Sequence, residues 1–355
     1  MSQTAPQMQP VPAPATETSS EGPPSRRHLP LGFRIANIVV HTGPSLILLL
    51  LIVVMYILTP NFLTTSNLGD VGTQAAVVCI LGIGQFFVIV TQGIDLSIGS
   101  TLSLATVTGA LVYGGINSGP LVLLTMLATG VVVGLINGIV LVKWRIPHPF
   151  IVTLGMLNVA SGVALLLSNG TAILGMPKVI VTLGSGYIGN IPVAVVFTAG
   201  LAVLAWLFTS RVKLGRWLYA VGGNTEGARR SGIPVGAVLI TTYALSGLAA
   251  GLGAIVTAGR TNSGYPTAGL SLELDAIAAV IIGGTSFFGG RGNIGNVIVG
   301  ALILAIIRNG LNLLNVSSFW QQVAIGLIIV LAVGADVLRT RLERRFALMA
   351  ARMAD

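Results

Sequence analysis

RVKLGRWLYAVGGNTEGARRSGIP, running from Arg211 to Pro234, decides how the rest of this chain must be read. Five of the nineteen Lys and Arg residues fall in it: Arg211, Lys213, Arg216, Arg229 and Arg230. Long apolar segments flank it on both sides. A polar excursion of this length must therefore lie in water at one membrane face, because unpaired backbone and charge are too costly in hydrocarbon. Its cations assign that face to the cytoplasm, since short loops near span ends are biased positive inside. The stretch also predicts a short helix over Ala228–Ser231, which Asn224 or Thr225 can cap, with Glu226 in its first turn and Gly232 and Pro234 as its stop. A short helix held out between two spans suits the docking of a partner. A solvated positive loop with no partner would carry the same charge.

Working outward, hydrophobic residues make up 54% of the 355-residue chain and charged residues only 8%. Soluble domains carry roughly a quarter charged residues, so the composition predicts an all-α polytopic membrane protein. A span needs about twenty apolar residues, and ten segments satisfy this: 38–59, 73–92, 96–114, 120–142, 149–168, 191–209, 235–258, 274–290, 294–313 and 319–338. With both termini cytoplasmic, sixteen of the nineteen cations fall inside, Lys178 and Arg260 fall outside, and Arg308 lies within a span. The inverted arrangement would place the sixteen on the wrong side. Residues 1–33, rich in Pro, Ser, Thr and Gln, are expected to be a disordered cytoplasmic tail. Residues 34–345 form the transmembrane domain and 346–355 a cytoplasmic carboxyl-terminal tail. The net charge of +9 marks helix ends and does not build a basic groove, so nucleic acid is not an expected partner.

Chemistry-bearing patterns are few. QGIDLSIGS, Gln92–Ser100, places Asp95 among glycines and serines between the second and third spans, where it either caps the following helix or faces a polar pathway. GGTSFFGGRGNIG, Gly283–Gly295, follows the eighth segment, and a shift of 191 positions brings Gly93 onto Gly284 and Gly99 onto Gly290. That shift hints at an internal repeat with Gly-interrupted helices at equivalent positions. Gly130, Gly134 and Gly138 in the fourth span, and Gly247 and Gly251 in the seventh, make small-residue ridges for close helix packing. Arg308 inside the ninth span calls for a carboxylate or carbonyl partner. The outer excursions 169–190 and 259–273 are too short for a substrate-capturing domain. No Lys stands in a phosphate-cradling loop, and there is no nucleophile elbow and no Cys or His cluster with metal-ligand spacing, so no catalytic or metal-binding residues are assigned. If ATP drives this protein, another subunit hydrolyses it. Cys79 is the single cysteine, which excludes an internal disulfide framework.

Three motifs together resemble the membrane permeases of ABC importers for ribose, xylose and related monosaccharides. They are QGIDLSIGS, the stretch GRWLYAVGGNTEGARRSGIP at Gly215–Pro234, and the pair LDAIAAVIIGGTSFFGGRGNIGNVIVGAL at Leu274–Leu302 with IPHPFIVTLGML at Ile146–Leu157. The resemblance spans roughly residues 44–338 and leaves the Pro-rich tail outside. It implies the permease fold of type II ABC importers, with about ten transmembrane helices, in a bacterial inner membrane. It implies a second permease subunit alongside, a cytoplasmic two-cassette ATPase that binds ATP and Mg, and an extracytoplasmic sugar-binding protein. No cofactor is expected on this chain. Gly215, Arg216, Tyr219, Gly223, Asn224, Ala228 and Gly232 match the loop that docks on the ATPase. Gln85, Gln92, Asp95, Ser97, Thr101 and Asn158 are the candidates for lining the pathway. The rival readings are a permease of the same superfamily for branched-chain amino acids or nucleosides, and an ion-coupled secondary carrier, whose mid-membrane acids are scarce here.

Overall fold

Apolar length, caps and glycine breaks divide the chain into helices. The computed structural model describes residues 31–352. The helices are α1 (Leu31–Leu58), α2 (Thr65–Val90), α3 (Ile98–Gly115), α4 (Gly119–Lys143), α5 (Pro149–Ser168), α6 (Lys178–Ser185), α7 (Val193–Arg211), α8 (Lys213–Gly223), α9 (Thr225–Arg230), α10 (Val235–Thr261), α11 (Leu272–Ile282), α12 (Ile294–Leu313) and α13 (Ser318–Arg352). Of the tail expected to be disordered over 1–33, residues 1–30 lie outside the described residues and residues 31–33 open α1; of the tail expected over 346–355, residues 346–352 continue α13 and 353–355 lie outside the described residues. Among the described residues, those up to Val39 belong to one unit and those from Val40 onward to another.

Among the described residues, α2, α4, α5, α7, α10 and α12 are each long and apolar enough to cross a membrane. Helix α2 is the axis of the bundle. Its most apolar stretch is 94% buried, against 17% for α5, so α2 is wrapped by protein while α5 presents apolar surface to lipid or to a neighbouring subunit. Helices α7, α10, α11 and α12 pack around α2. Helix α2 begins eight residues before the expected start at 73, because its polar first turns are paired. Thr64 accepts from Asn67 N–H at 3.4 Å, and the Asn67 and Asn309 amides exchange two hydrogen bonds at 3.0 and 2.7 Å.

The eighth expected span, 274–290, is corrected. Helix α11 has 11 residues, about 16 Å at 1.5 Å per residue, roughly half of a bilayer core. It ends at its C-cap Gly283, and Gly284 just beyond takes a positive φ that turns the chain out of the helix; Phe287, Phe288 and the positive-φ Gly289 and Gly290 belong to the return loop before α12. The remaining nine expected intervals each coincide with a helix, with ends shifted by a few residues in most cases.

The outer excursions are also more structured than expected. Ile173–Leu174 pairs antiparallel with Ser263–Gly264, joining the two excursions to each other. Asn262 cements the pairing, its Oδ1 accepting from Met176 N–H at 2.9 Å. Residues 263–271 then fold back along α3, where Ser103 Oγ accepts from Gly269 N–H at 2.8 Å and Thr106 holds Tyr265. Helix α6 caps the outer end of α10.

Candidate translocation and docking sites

The glycine ridges on α4 and α10 face each other. A Cβ at Gly130 would collide with the Gly247 carbonyl, and one at Gly134 with that of Tyr243, so backbone meets backbone along this seam. That close approach carries two polar side chains, Asn137 of α4 and Ser246 of α10, towards the segment after α2.

There Asp95 is the hub, only 1% exposed. One carboxylate oxygen accepts from Ser97 N–H at 2.9 Å and from Ser97 Oγ at 2.6 Å, and the other accepts from Ser246 Oγ at 2.7 Å. Asn137 Nδ2 donates to Ser97 Oγ at 2.9 Å. The Gln85 amide clamps the Asp95 backbone, donating to its carbonyl and accepting from its N–H at 3.1 Å each. Asp95 therefore neither caps α3, whose N-cap residue is Ser97, nor faces an open channel within this chain. It closes an Asx-type turn and ties α2, α4 and α10 to the start of α3. Three donors on one buried carboxylate make it a conformational anchor.

The other expected pathway residues divide. Gln85, Ser97 and Thr101 are buried in or beside this hub. Gln92 is not part of it. It takes a positive φ of 65° at the end of α2 and donates through Nε2 to the Gly222 carbonyl at 2.7 Å, on the α8–α9 hairpin. Asn158 lies on the exposed face of α5 and bonds only its own helix, at Leu154 O, far from any shared polar cluster in this chain. The sequence reading missed Asn137 and Ser246, because single polar residues on glycine-rich spans carry no local pattern; only their register against Asp95 gives them a role.

The basic island is two helices, not one. Helix α8 was missed although Leu214, Leu218 and Val221 recur at helical spacing; its apolar side packs inward, with Leu218 and Val221 fully buried. Helix α9 starts as expected, with Asn224 Oδ1 accepting from Gly227 N–H at 2.8 Å, and Gly232 ends it at φ 78°. Of the seven residues expected to dock, Arg216, Gly223, Asn224 and Gly232 are exposed. Gly215 and Ala228 are buried, and Tyr219 turns inward, donating to Gly292 O at 3.2 Å and meeting Phe86 edge-on. These three hold the hairpin on the bundle and leave the other four as its outward surface. Arg229 and Arg230 both pair with Glu226, on the exposed face of α9.

The hairpin meets the bundle at one junction. A Cβ at Gly222 would run into the Val90 carbonyl, which also accepts from Gly290 N–H at 2.9 Å. The end of α8, the end of α2 and the α11–α12 loop thus meet backbone to backbone at Gly222, Val90 and Gly290, with the Gln92 and Tyr219 side chains bridging the same junction. The two loops related by the 191-residue shift are two of the three partners.

An α-helical bundle of apolar spans, with a buried polar hub at a helix break and an exposed basic hairpin packed against the end of α2, is the architecture of a multi-pass membrane protein. The chain belongs to the family described as branched-chain amino acid transport system / permease component, which matches residues 67–333. The D-allose transport system permease protein of Escherichia coli (strain K12) is 39% identical over 296 residues, covering 83% of this chain and 90% of that one. The ribose import permease protein of the same strain is 40% identical over 293 residues, covering 81% and 91%. The ribose import permease protein of Bacillus subtilis (strain 168) is 41% identical over 299 residues, covering 83% and 92%. No solved structure matches.

Proposed function

We propose that this chain is the membrane-spanning subunit of an ATP-driven ABC importer and forms the pathway for a neutral monosaccharide delivered by an extracytoplasmic binding protein. The observation that carries this reading is the near full-length identity of about 40% to ribose and allose permeases. The family description names branched-chain amino acids, yet the individual relatives at this level of identity are named for sugars, so the sugar reading is favoured.

Hydrolysis of ATP belongs to a separate cytoplasmic subunit in this reading, which docks on the outward residues of α8 and α9 in a membrane whose cytoplasmic side holds both termini. A second permease subunit completes the pathway, and the paired outer segments 173–174 and 263–264 receive the binding protein. The mechanism follows from packing. Closure of the ATPase displaces α8, and α8 touches the end of α2 and the α11–α12 loop through the Gly222–Val90–Gly290 junction. Close backbone contact, reinforced by the Gln92–Gly222 and Tyr219–Gly292 hydrogen bonds, transmits displacement with little slack. The Asp95 hub follows α2, so the break between α2 and α3 shifts against α4 and α10.

The test is uptake of radiolabelled D-ribose, D-allose and D-galactose by cells expressing the full operon, with and without this chain. Loss of uptake of one of these sugars on deletion, restored by the chain, is expected. Unchanged uptake of all three, together with loss of leucine uptake, overturns the sugar reading.

A further inference from the structure

Arg308 of α12 finds its partner in Asp275 of α11, donating through one Nη to both carboxylate oxygens at 2.6 and 2.7 Å. Asp275 is buried, but the Arg308 side chain is 37% exposed. A guanidinium this exposed on a membrane-crossing helix faces water or protein and not acyl chains. Two cavities meet at the pair. The smaller, about 210 Å³, lies between α2, α10, α11 and α12, and its polar lining is Gln74, Thr257, Arg260, Asp275 and Arg308. The larger, about 320 Å³, lies between α11, α12 and α13 and brings Ser271, Ser318, Gln321 and Gln322 to the other side of the same ion pair. Thr257 Oγ1 and Arg308 Nε are buried atoms bonded to no protein group.

We propose that the smaller cavity is a binding station for one sugar ring in transit, with the Asp275–Arg308 pair as its hydrogen-bonding wall. This deepens the monosaccharide reading above and rests on it. A sugar hydroxyl both donates and accepts, so adjacent hydroxyls can donate to the carboxylate while accepting from the guanidinium, Thr257 and Gln74. The two charges already neutralise each other, so a neutral ligand can enter and leave without stranding a buried charge. Val77, Val78 and Leu304 supply the apolar side against which the ring's C–H face rests. A volume of this size is below that of most drug-sized sites and fits a single small ring.

The experiment uses Gln74→Cys in the full chain, in membranes with its operon partners, and follows labelling by a small charged methanethiosulfonate reagent. The native chain, whose Cys79 is buried, provides the background. A saturating concentration of a transported sugar is expected to slow labelling about tenfold, the factor for occupancy of about nine sites in ten. Adding Asp275→Asn with Arg308→Gln is expected to abolish that protection while the unprotected labelling rate persists. Thr257→Val, which removes only an unpaired hydroxyl and keeps the fold, is expected to weaken the protection. Uptake of a sugar that leaves the introduced thiol unprotected overturns the station and leaves the permease reading standing. Protection by leucine in place of sugar overturns the ligand class, and neither uptake nor protection by D-ribose, D-allose or D-galactose overturns both readings together.

Discussion

At the scale of single residues, two clusters of buried polar side chains, around Asp95 and around Asn67, pair across helices and set helix positions. Asp95 shows what the carboxylate does beyond charge. Asp95→Asn keeps an acceptor for Ser97, and the Ser246 hydroxyl can turn from donor to acceptor for the new amide. Asp95→Asn is expected to cost about 1 kcal/mol and to retain uptake, whereas Asp95→Leu strands three donors at about 1–3 kcal/mol each and should abolish accumulation in the membrane. Thermal unfolding in detergent and a transport assay check both; an Asp95→Asn protein that is stable yet inert would show that the negative charge itself is needed. The Asn67–Asn309 amide pair makes a second case. Asn67→Leu removes both bonds to the Asn309 amide, and Asn309→Leu leaves Asn67 with only the Phe62 carbonyl, so each single change should lower stability by about 0.5–2 kcal/mol, and the double change by less than the sum. Additive losses would mean that the two amides do not support each other.

At the scale of elements, glycine decides which helices can touch. The α4–α10 seam is a backbone contact, and Gly134→Val places a branched side chain where the Tyr243 carbonyl stands. Overpacking of this kind is expected to destabilise the protein by about 1–3 kcal/mol or more, read as a fall in melting temperature. The junction at Gly222 is a different test, because it links moving parts. Gly222→Ala is expected to leave the chain in the membrane and reduce uptake by at least about tenfold, the effect of a kcal/mol-scale mismatch between coupled elements. Normal uptake by Gly222→Ala would separate α8 from the transport cycle.

At the scale of the whole molecule, the exposed face of α8 and α9 is where a cytoplasmic subunit would act. Arg216 is exposed and makes no contribution to the core, so Arg216→Glu should leave stability within about 0.5 kcal/mol of the native protein. Its expected effect is loss of the ATPase from the complex purified in mild detergent, read by mass spectrometry of the co-purifying chains. An intact complex carrying Arg216→Glu would move the docking surface elsewhere. Several apolar outer faces, among them that of α5, remain uncovered in the single chain, as expected of a protein surrounded by lipid and a neighbouring subunit.

Sequence alone determined the helical membrane class, a helix at nine of the ten expected intervals (six of them long and apolar enough to cross a membrane among the described residues), the cap and stop of α9, and the family, because apolar length, capping residues and motif spacing are local properties written in consecutive residues. It also foresaw the glycine ridges as packing surfaces. Tertiary structure decided the rest. That α11 is a half-helix followed from the glycine pair at its end, with Gly284 in left-handed backbone, which hydropathy averaged over a window cannot register. That Asp95 is an anchor and not a cap, that Gln92 reaches the α8–α9 hairpin, and that Tyr219 turns inward all depend on hydrogen bonds between residues 40 or more positions apart. Such partners are chosen by how whole helices pack, and a single polar residue on an apolar helix carries no trace in sequence of which neighbour it will meet.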